Sequence, residues 1–288
     1  MAAFSASRRL GAVLAFGLAA AAPIAAAPPA FAAGDPSKPA SYAPDAPLLT
    51  LLDGKAADFK EQIAAPDLQA LGAAVDRLAA AVQQRDLAGA RQAWLDAHAI
   101  WARCDAFSAD LYPGLEKKIN QFPDAQSGFH AIEATLFAAQ PNVDAAQVQR
   151  LVDNVQTYQR VFAQSKFNGY YLIAAAATWS FELGNTLKEE GGESPISGSS
   201  LVDFQHNMEG IERTWRFVFA DSVRAKKHFL AEQIDDQIAG IKAMLDVPSL
   251  DQIQVEAFQR ETTKLASQLA DASTTLGWRA PDYTDLGE

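Results

Sequence analysis

A histidine and a glutamate lie three residues apart in the segment GFHAIE, which spans residues 128–133. On an α-helix, residues i and i+3 share a face, so His130 and Glu133 can turn toward one ion. An imidazole nitrogen beside a carboxylate oxygen suits iron, zinc, manganese or copper. Because two ligands do not complete a metal site, the pattern predicts further ligands on other helices.

Three carboxylates that occur where an apolar helix face is expected are candidates for those ligands. Asp105 follows a stripe of tryptophans, and Asp110 lies further along the same segment. Glu182 stands among large apolar residues in TWSFEL, residues 178–183. A buried carboxylate is costly unless it is paired or bound to a metal. Partial exposure or helix capping is the alternative for each of the three.

A second His-x-x-Glu pattern places Asp203, His206 and Glu209 at successive three-residue steps, and all three are secondary candidate ligands. Phe204 and Met208 mark the opposite, buried face of this helix. A hydrated helix face with acids near its N-terminus is therefore the alternative interpretation.

The other two histidines and one acidic loop are predicted not to bind metal. His98 lies on a helix whose apolar face is occupied by tryptophans, which indicates a structural role. His228 follows two lysines on a predicted solvent face, and the acidic loop at 189–193 is predicted to be solvated.

Signatures of the common hydrolases and nucleotide-binding enzymes do not occur in the sequence. H-E-x-x-H is missing, and Ala134 occupies the place of the second histidine in H-x-x-E-H. There is no G-x-S-x-G, no P-loop and no G-x-G-x-x-G. A binding protein is therefore favoured over an enzyme.

Residues 1–32 have the features of a cleavable secretory signal peptide. Arg8 and Arg9 precede an Ala-rich apolar run, which ends in an Ala-Phe-Ala cleavage sequence at 30–32. We therefore expect export to a bacterial periplasm.

The remainder is expected to comprise a flexible Pro- and Ser-rich leader at 33–47 and a metal-binding domain at 48–288. The net charge of −11 becomes −13 once the two signal-peptide arginines are removed. Such a charge argues against nucleic acid and anionic lipid as partners, and it is compatible with cation binding. No stable membrane insertion is expected. Cys104 is the only cysteine, so no intrachain disulfide can form.

Apolar residues recur at helical spacing along this domain, and no run alternates with the period of a β-strand. The sequence therefore predicts an all-α fold, an antiparallel helical bundle of the four-helix type, either single or built from two pseudo-repeated halves. Helices are predicted from Pro66-Asp67, from Asp86, over 128–137, from Asp144, over 168–190, from Ser200, and over about 222–245 and 250–275.

Five segments together resemble the imelysin family, in its EfeO-type branch. They are ARQAWLDA at 90–97, CDAF at 104–107, GFHAIE at 128–133, GES at 192–194 and LVDFQHNMEG at 201–210. The family is marked by G-x-H-x-x-E, and the resemblance covers roughly residues 48–275. Because helices follow the leader directly, the chain resembles the short form, without an N-terminal cupredoxin domain.

The resemblance implies a helical bundle with a metal site that includes His130 and Glu133, with acidic positions at Asp105 and Glu182. It implies a periplasmic iron-binding component of a bacterial uptake system, with an iron permease or other uptake components as partners. Iron is the expected ion, with zinc, copper or calcium as alternatives. The family also leaves open a metallopeptidase and a protein that binds polysaccharide through a metal bridge.

Overall fold

The computed structural model describes residues 45–108, 111–121 and 126–284 of the 288-residue chain. The predicted signal peptide, most of the predicted leader and Asp110 lie outside the described residues. Within those ranges the chain contains no β-strand and forms the following α-helices: α1 (Ala46–Phe59), α2 (Ala65–Gln83), α3 (Leu87–Ser108), α4 (Pro113–Ile119), α5 (Phe129–Leu136), α6 (Ala145–Gln164), α7 (Gly169–Glu190), α8 (Ser200–Thr214), α9 (Ala220–Lys226), α10 (His228–Leu245) and α11 (Val255–Leu276).

Side-chain caps fix several helix starts where the sequence predicts them. The Asp86 carboxylate accepts a hydrogen bond from the Gly89 backbone N–H at 2.9 Å, just before α3. Asp144 accepts from the Ala146 N–H at 2.9 Å before α6, and Asn168 caps α7 in the same manner. Each cap satisfies a backbone donor that the first helical turn leaves without a partner.

The helix predicted to begin at Pro66 instead continues without a break from α1. One π-helical turn, Lys60–Ala64, joins α1 to α2, and the Ala65 N–H bonds to the Lys60 carbonyl five residues back. Proline has no N–H to donate. Pro66 is therefore accommodated directly after the π-helical turn, where backbone N–H groups bond five residues back and the regular four-residue pattern is already interrupted. A second π-helical turn, Trp215–Phe219, joins α8 to α9.

Two predicted C-terminal helices have different boundaries in the structure. The helix expected over 222–245 is interrupted at Lys227, whose backbone (φ −148°, ψ 74°) is not helical, so α9 and α10 are separate. The helix expected from residue 250 begins at Val255, after a 3₁₀ turn at Leu250–Gln252. Helices α1 and α4 were not predicted.

Helix α3 lies in the middle of the bundle, because it packs against α2, α5, α7 and α8. Helix α11 packs along α7, and α10 packs along α11. Trp94, Trp101 and Trp215 are fully buried in the shared apolar core. The predicted all-α bundle is confirmed, and its central helix is the one that carries the tryptophan stripe.

Cys104 is a free, fully buried thiol on this central helix. Burial raises its pKa well above the ordinary value, which keeps the sulfur protonated and unreactive. None of the described helices is both long enough and apolar enough to cross a bilayer.

Candidate metal centre

Two histidines and a glutamate converge between α3, α5 and the loop that joins α7 to α8. His98 comes from the middle of α3, His130 from the first turn of α5, and Glu193 from the loop. One nitrogen of each ring and one Glu193 carboxylate oxygen lie within 4.8 Å of one another. The imidazole centroids are 5.0 Å apart, with their planes at 66°. Two imidazoles and one carboxylate are a donor set that can hold a metal ion.

The tryptophan stripe of α3 places His98 at this point. Trp94 and His98 are four residues apart on one helix face, and their rings stack with centroids 4.8 Å apart and planes at 4°. The Trp94 indole N–H donates to the Phe129 carbonyl at 3.0 Å. Since Phe129 is the first residue of α5, this bond brings His130 to His98.

A glycine sets the start of α5. Gly128 has φ +100°, a conformation that side-chain-bearing residues rarely adopt, and a Cβ there would lie 2.7 Å from the Gln121 backbone nitrogen. The glycine of G-x-H-x-x-E therefore serves the backbone turn that positions His130.

His98 is completely buried and is held by Asp203 from α8. Its Nδ1 lies 2.9 Å from Asp203 Oδ1, while its Nε2 has no hydrogen-bond partner among the residues described. Burial alone would lower the pKa of His98. The charge and hydrogen bond of Asp203, helped by the charges of Glu193 and Glu133, outweigh burial and raise the pKa to about 9.

His130 is held in a similar way by Glu133, one helical turn further along α5. His130 Nδ1 lies 3.1 Å from Glu133 Oε2, and the other carboxylate oxygen accepts from the Ser197 N–H at 2.7 Å and from the Ser197 hydroxyl at 2.8 Å. Burial favours a neutral Glu133, but these hydrogen bonds lower its pKa. Burial and the charge of His98 lower the pKa of His130, so its ring is neutral at pH 7.

Glu193 reaches the centre through a backbone turn after α7. Gly192 has φ +125°, and a Cβ there would lie 2.5 Å from the Ser200 hydroxyl. The Glu193 Oε2 accepts from the Asn207 amide at 3.1 Å, whereas its buried Oε1 has no hydrogen-bond partner in the described part of the chain. Burial, together with the charge of Asp203, raises the pKa of Glu193 to about 7.

A cavity of about 180 Å³ opens beside His130 and Glu193. The wall of the cavity includes Glu182 and Glu190. Glu190 is exposed, so the cavity opens to the surface beside it. At roughly 30 Å³ per water molecule, the cavity has room for an ion with part of its hydration shell. The acidic wall favours the entry of cations.

The sequence matches the imelysin family, Peptidase_M75, over residues 58–276. This chain belongs to the imelysin family. Among solved structures it is similar to a protein described as an iron-regulated protein A precursor from Parabacteroides distasonis ATCC 8503, at a TM-score of 0.60 and 17% sequence identity. The likeness covers 79% of this chain and 95% of the other, and at this identity it establishes the fold. No curated protein matches the chain in sequence.

In this imelysin the primary predicted residues that the structure describes have different positions relative to the converging donors. His130 supplies one of the donor atoms, and Glu133 contacts His130 and Ser197. Glu182 lines the adjoining cavity. Asp105 is buried seven residues after His98, and neither of its oxygens has a hydrogen-bond partner among the described residues. Burial and the charges of neighbouring acids raise its pKa well above the ordinary value.

The secondary predicted residues are not brought together on the centre. Asp203 faces His98, but His206 and Glu209 are partly exposed and contact Arg103. Arg103 Nη1 lies 3.3 Å from His206 Nδ1 and 3.4 Å from Glu209 Oε2. Each step of three residues rotates the side chain by about 60° around a helix, so Glu209 points about 120° away from Asp203.

Sequence reasoning missed two members of this imelysin site, His98 and Glu193. His98 was expected to be structural and Glu193 to be solvated. The four-residue spacing from Trp94 to His98 was the available signal, because it places the imidazole on the buried stripe. For Glu193 the signal was the preceding pair of glycines, which permits a sharp backbone turn.

Proposed function

We propose that this protein binds a transition-metal ion through His98, His130 and Glu193, and that the ion is iron. One observation carries the proposal. The Nε2 of His98 is fully buried and unpartnered within the described residues, and His98 is one of the three residues whose donor atoms lie within 4.8 Å of one another. An unsatisfied buried polar atom is costly, and a bound ion would supply its partner.

The surroundings of both histidines support the proposal. Metal-binding histidines commonly donate their second ring N–H to a carboxylate, which fixes the tautomer and the orientation of the ring. His98 has Asp203 in this position at 2.9 Å, and His130 has Glu133 at 3.1 Å. In each case Nδ1 is engaged, so Nε2 is the nitrogen that would bind the ion.

The donor set favours iron(II) or zinc over calcium. Two imidazoles and one carboxylate, with positions left for water, are typical of non-haem iron(II) sites and also suit zinc. Calcium prefers six to eight oxygen ligands. Membership of the imelysin family, and the description of the solved relative as iron-regulated, support iron.

We place the protein in the bacterial periplasm, as an iron-binding component of an uptake system that delivers its ion to a membrane permease. The signal-peptide features of residues 1–32 and the acidic composition support this placement. Because the ion would be the cargo, the centre must both hold and release it.

The family designation keeps a metallopeptidase as the competing function. A peptidase needs a carboxylate that can take a proton from a metal-bound water. Glu133 has both oxygens engaged, one by His130 and one by Ser197, which favours binding over hydrolysis. Chelator-sensitive cleavage of a protein substrate by the metal-loaded wild type would instead establish the peptidase.

Metal analysis and titration calorimetry with iron(II) under anaerobic conditions test the proposal. We expect the wild type to bind about one ion per chain, and His98→Ala and the double variant His130→Ala/Glu133→Ala to lose most of the affinity. His228→Ala is the matched control, because His228 is exposed and pairs with Glu232 on the surface. Equal iron binding by the wild type and both site variants would disprove the assignment.

A further inference from the structure

Three serines in the loop between α7 and α8 contact the residues around the proposed ion. We call Ser194, Ser197 and Ser199 the serine clasp. They follow Glu193 directly in the sequence. One short segment therefore supplies the proposed ligand Glu193 and also contacts His98 and the two carboxylates that hold the histidines. This inference rests on the proposed metal-binding function.

Ser197 makes the strongest contacts of the clasp. Its backbone N–H and its hydroxyl both donate to Glu133 Oε1, at 2.7 Å and 2.8 Å. With that oxygen fixed, Glu133 presents Oε2 to His130 Nδ1. Because Glu133 accepts two hydrogen bonds from Ser197, the same carboxylate is the acceptor toward His130, which places the ring proton on Nδ1 and makes Nε2 the nitrogen that would bind the ion.

The other two serines lie beside the second histidine. The Ser199 hydroxyl lies 3.4 Å from Asp203 Oδ2, and the Ser194 hydroxyl lies 3.3 Å from His98 Nδ1. These contacts are longer than those of Ser197, so each contributes less. Asp203 remains the main partner of His98, at 2.9 Å.

A hydroxyl pair links the two halves of the clasp. Ser197 Oγ and Ser199 Oγ are 3.0 Å apart. Since Ser197 gives its only hydroxyl proton to Glu133, Ser199 donates to Ser197 or turns its proton toward Asp203. The two serine hydroxyls therefore lie in a row between the carboxylate that orients His130 and the one that orients His98.

We propose that Ser197 is a positioning residue of the metal centre, and that the segment from Glu193 to Ser199 is the element whose displacement releases the ion. Lifting this segment withdraws the Glu193 ligand and, in the same movement, the hydrogen bonds that hold Glu133. Gly192 and Gly198, both with positive φ, lie near its two ends, and glycine changes backbone conformation without the steric cost of a side chain. Retention and release of the cargo are therefore controlled from one loop.

Ser197→Ala tests the positioning role, because it removes the hydroxyl but keeps the backbone N–H on Glu133. We expect about tenfold weaker binding of iron(II) or zinc, the lower end of the range for outer partners of metal ligands. The loss should occur in the dissociation rate, measured by transfer of the ion to an excess of chelator. Ser197→Thr, which keeps a hydroxyl, should restore most of the affinity.

Two controls separate positioning from general stability. Ser165→Ala removes a hydroxyl that bonds to the Phe162 carbonyl at the end of α6, and it should leave metal binding unchanged. In a Glu133→Ala background, Ser197→Ala should have no further effect on affinity, because Ser197 acts through Glu133. An equal loss in that background would overturn the positioning role.

Nitrogen NMR of the metal-free protein provides a readout that needs no ion. The wild type should show His130 as the tautomer with its proton on Nδ1, and Ser197→Ala should shift the ring toward a mixture of tautomers. If the wild type binds no metal, the proposed function fails while this measurement still tests the clasp. If the wild type binds metal and Ser197→Ala leaves both tautomer and release rate unchanged, the clasp is disproved.

Discussion

Replacing Asp203 by asparagine separates two effects that the same carboxylate has on His98. The variant keeps the shape of the side chain and removes its charge. Asp203 orients the imidazole through a 2.9 Å hydrogen bond, which favours metal binding. Its charge also helps to raise the pKa of His98 to about 9, which favours a proton on the ring in competition with the ion.

The size of the proton competition follows from that pKa. Since pH 7 is about two units below the pKa of His98, removing the ring proton costs about 3 kcal/mol. This cost lowers the apparent affinity for the ion about a hundredfold. In Asp203→Asn burial prevails, His98 is neutral at pH 7, and this cost disappears. Loss of the orienting charge weakens binding by about ten- to a hundredfold. The two changes nearly cancel at pH 7, and the wild type binds more tightly as the pH rises.

Proton release on binding is the decisive measurement. Binding requires deprotonated ligands, so each ligand with a pKa above the working pH releases a proton when the ion enters. From pKa values of about 9 for His98 and about 7 for Glu193, the wild type should release about two protons per ion at pH 6 and about one at pH 8. Calorimetry in two buffers of different ionisation enthalpy counts these protons.

Asp203→Asn should release almost no proton at pH 8, and its affinity should be nearly independent of pH between 7 and 8. The wild-type affinity should rise about ten- to twentyfold over the same interval, mostly through His98. Asp96→Asn, at an exposed position on α3, the helix that carries His98, is the control and should match the wild type. A wild type that releases no proton at pH 8, or a variant that releases as many as the wild type, would refute the reasoning.

Two further predictions concern neighbours of the centre. Folding raises the pKa of Asp105, so the contribution of this carboxyl to stability is fully present below its unfolded pKa and is lost as the pH rises through its folded pKa. At pH 7 the metal-free Asp105→Asn variant should therefore melt at a higher temperature than the wild type in calorimetry. A lower melting temperature would contradict this. The Asn207 amide donates to Glu193 at 3.1 Å and accepts from the Trp179 indole N–H at 2.7 Å. Asn207→Ala should therefore weaken metal binding about tenfold and shift the Trp179 fluorescence. Unchanged binding would argue against Glu193 as a ligand.

Most of the bundle was predictable because its helices are specified locally. Asp86, Asp144 and Asn168 cap helices through bonds that span two or three residues, and such signals are visible in sequence. The errors occurred where tertiary packing decides the backbone. Pro66 continues a helix because a π-helical turn precedes it, and Lys227 interrupts one without any proline or glycine.

The centre was only partly predictable because its contacts join distant parts of the chain. His98 and Asp203 are 105 residues apart, and Glu133 and Ser197 are 64 apart. Spacing along one helix reveals which side chains share a face, but not which side chain of another helix they meet. The role of His98 depends on the bond by which the Trp94 indole ties α3 to α5, and no local pattern predicts that bond.

The two His-x-x-Glu patterns of this chain show what the motif predicts by itself. In both, the histidine Nδ1 lies 3.1 Å from a glutamate oxygen, because the side chains of residues i and i+3 are neighbours on one face of a helix. The pattern therefore predicts a histidine held by a carboxylate. Whether that histidine can also bind an ion depends on the other groups around its ring. His206 meets the guanidinium of Arg103 at 3.3 Å, a fixed positive charge that disfavours a second cation. His130 meets His98 and Glu193, which are donors, and only this pair is suited to hold an ion.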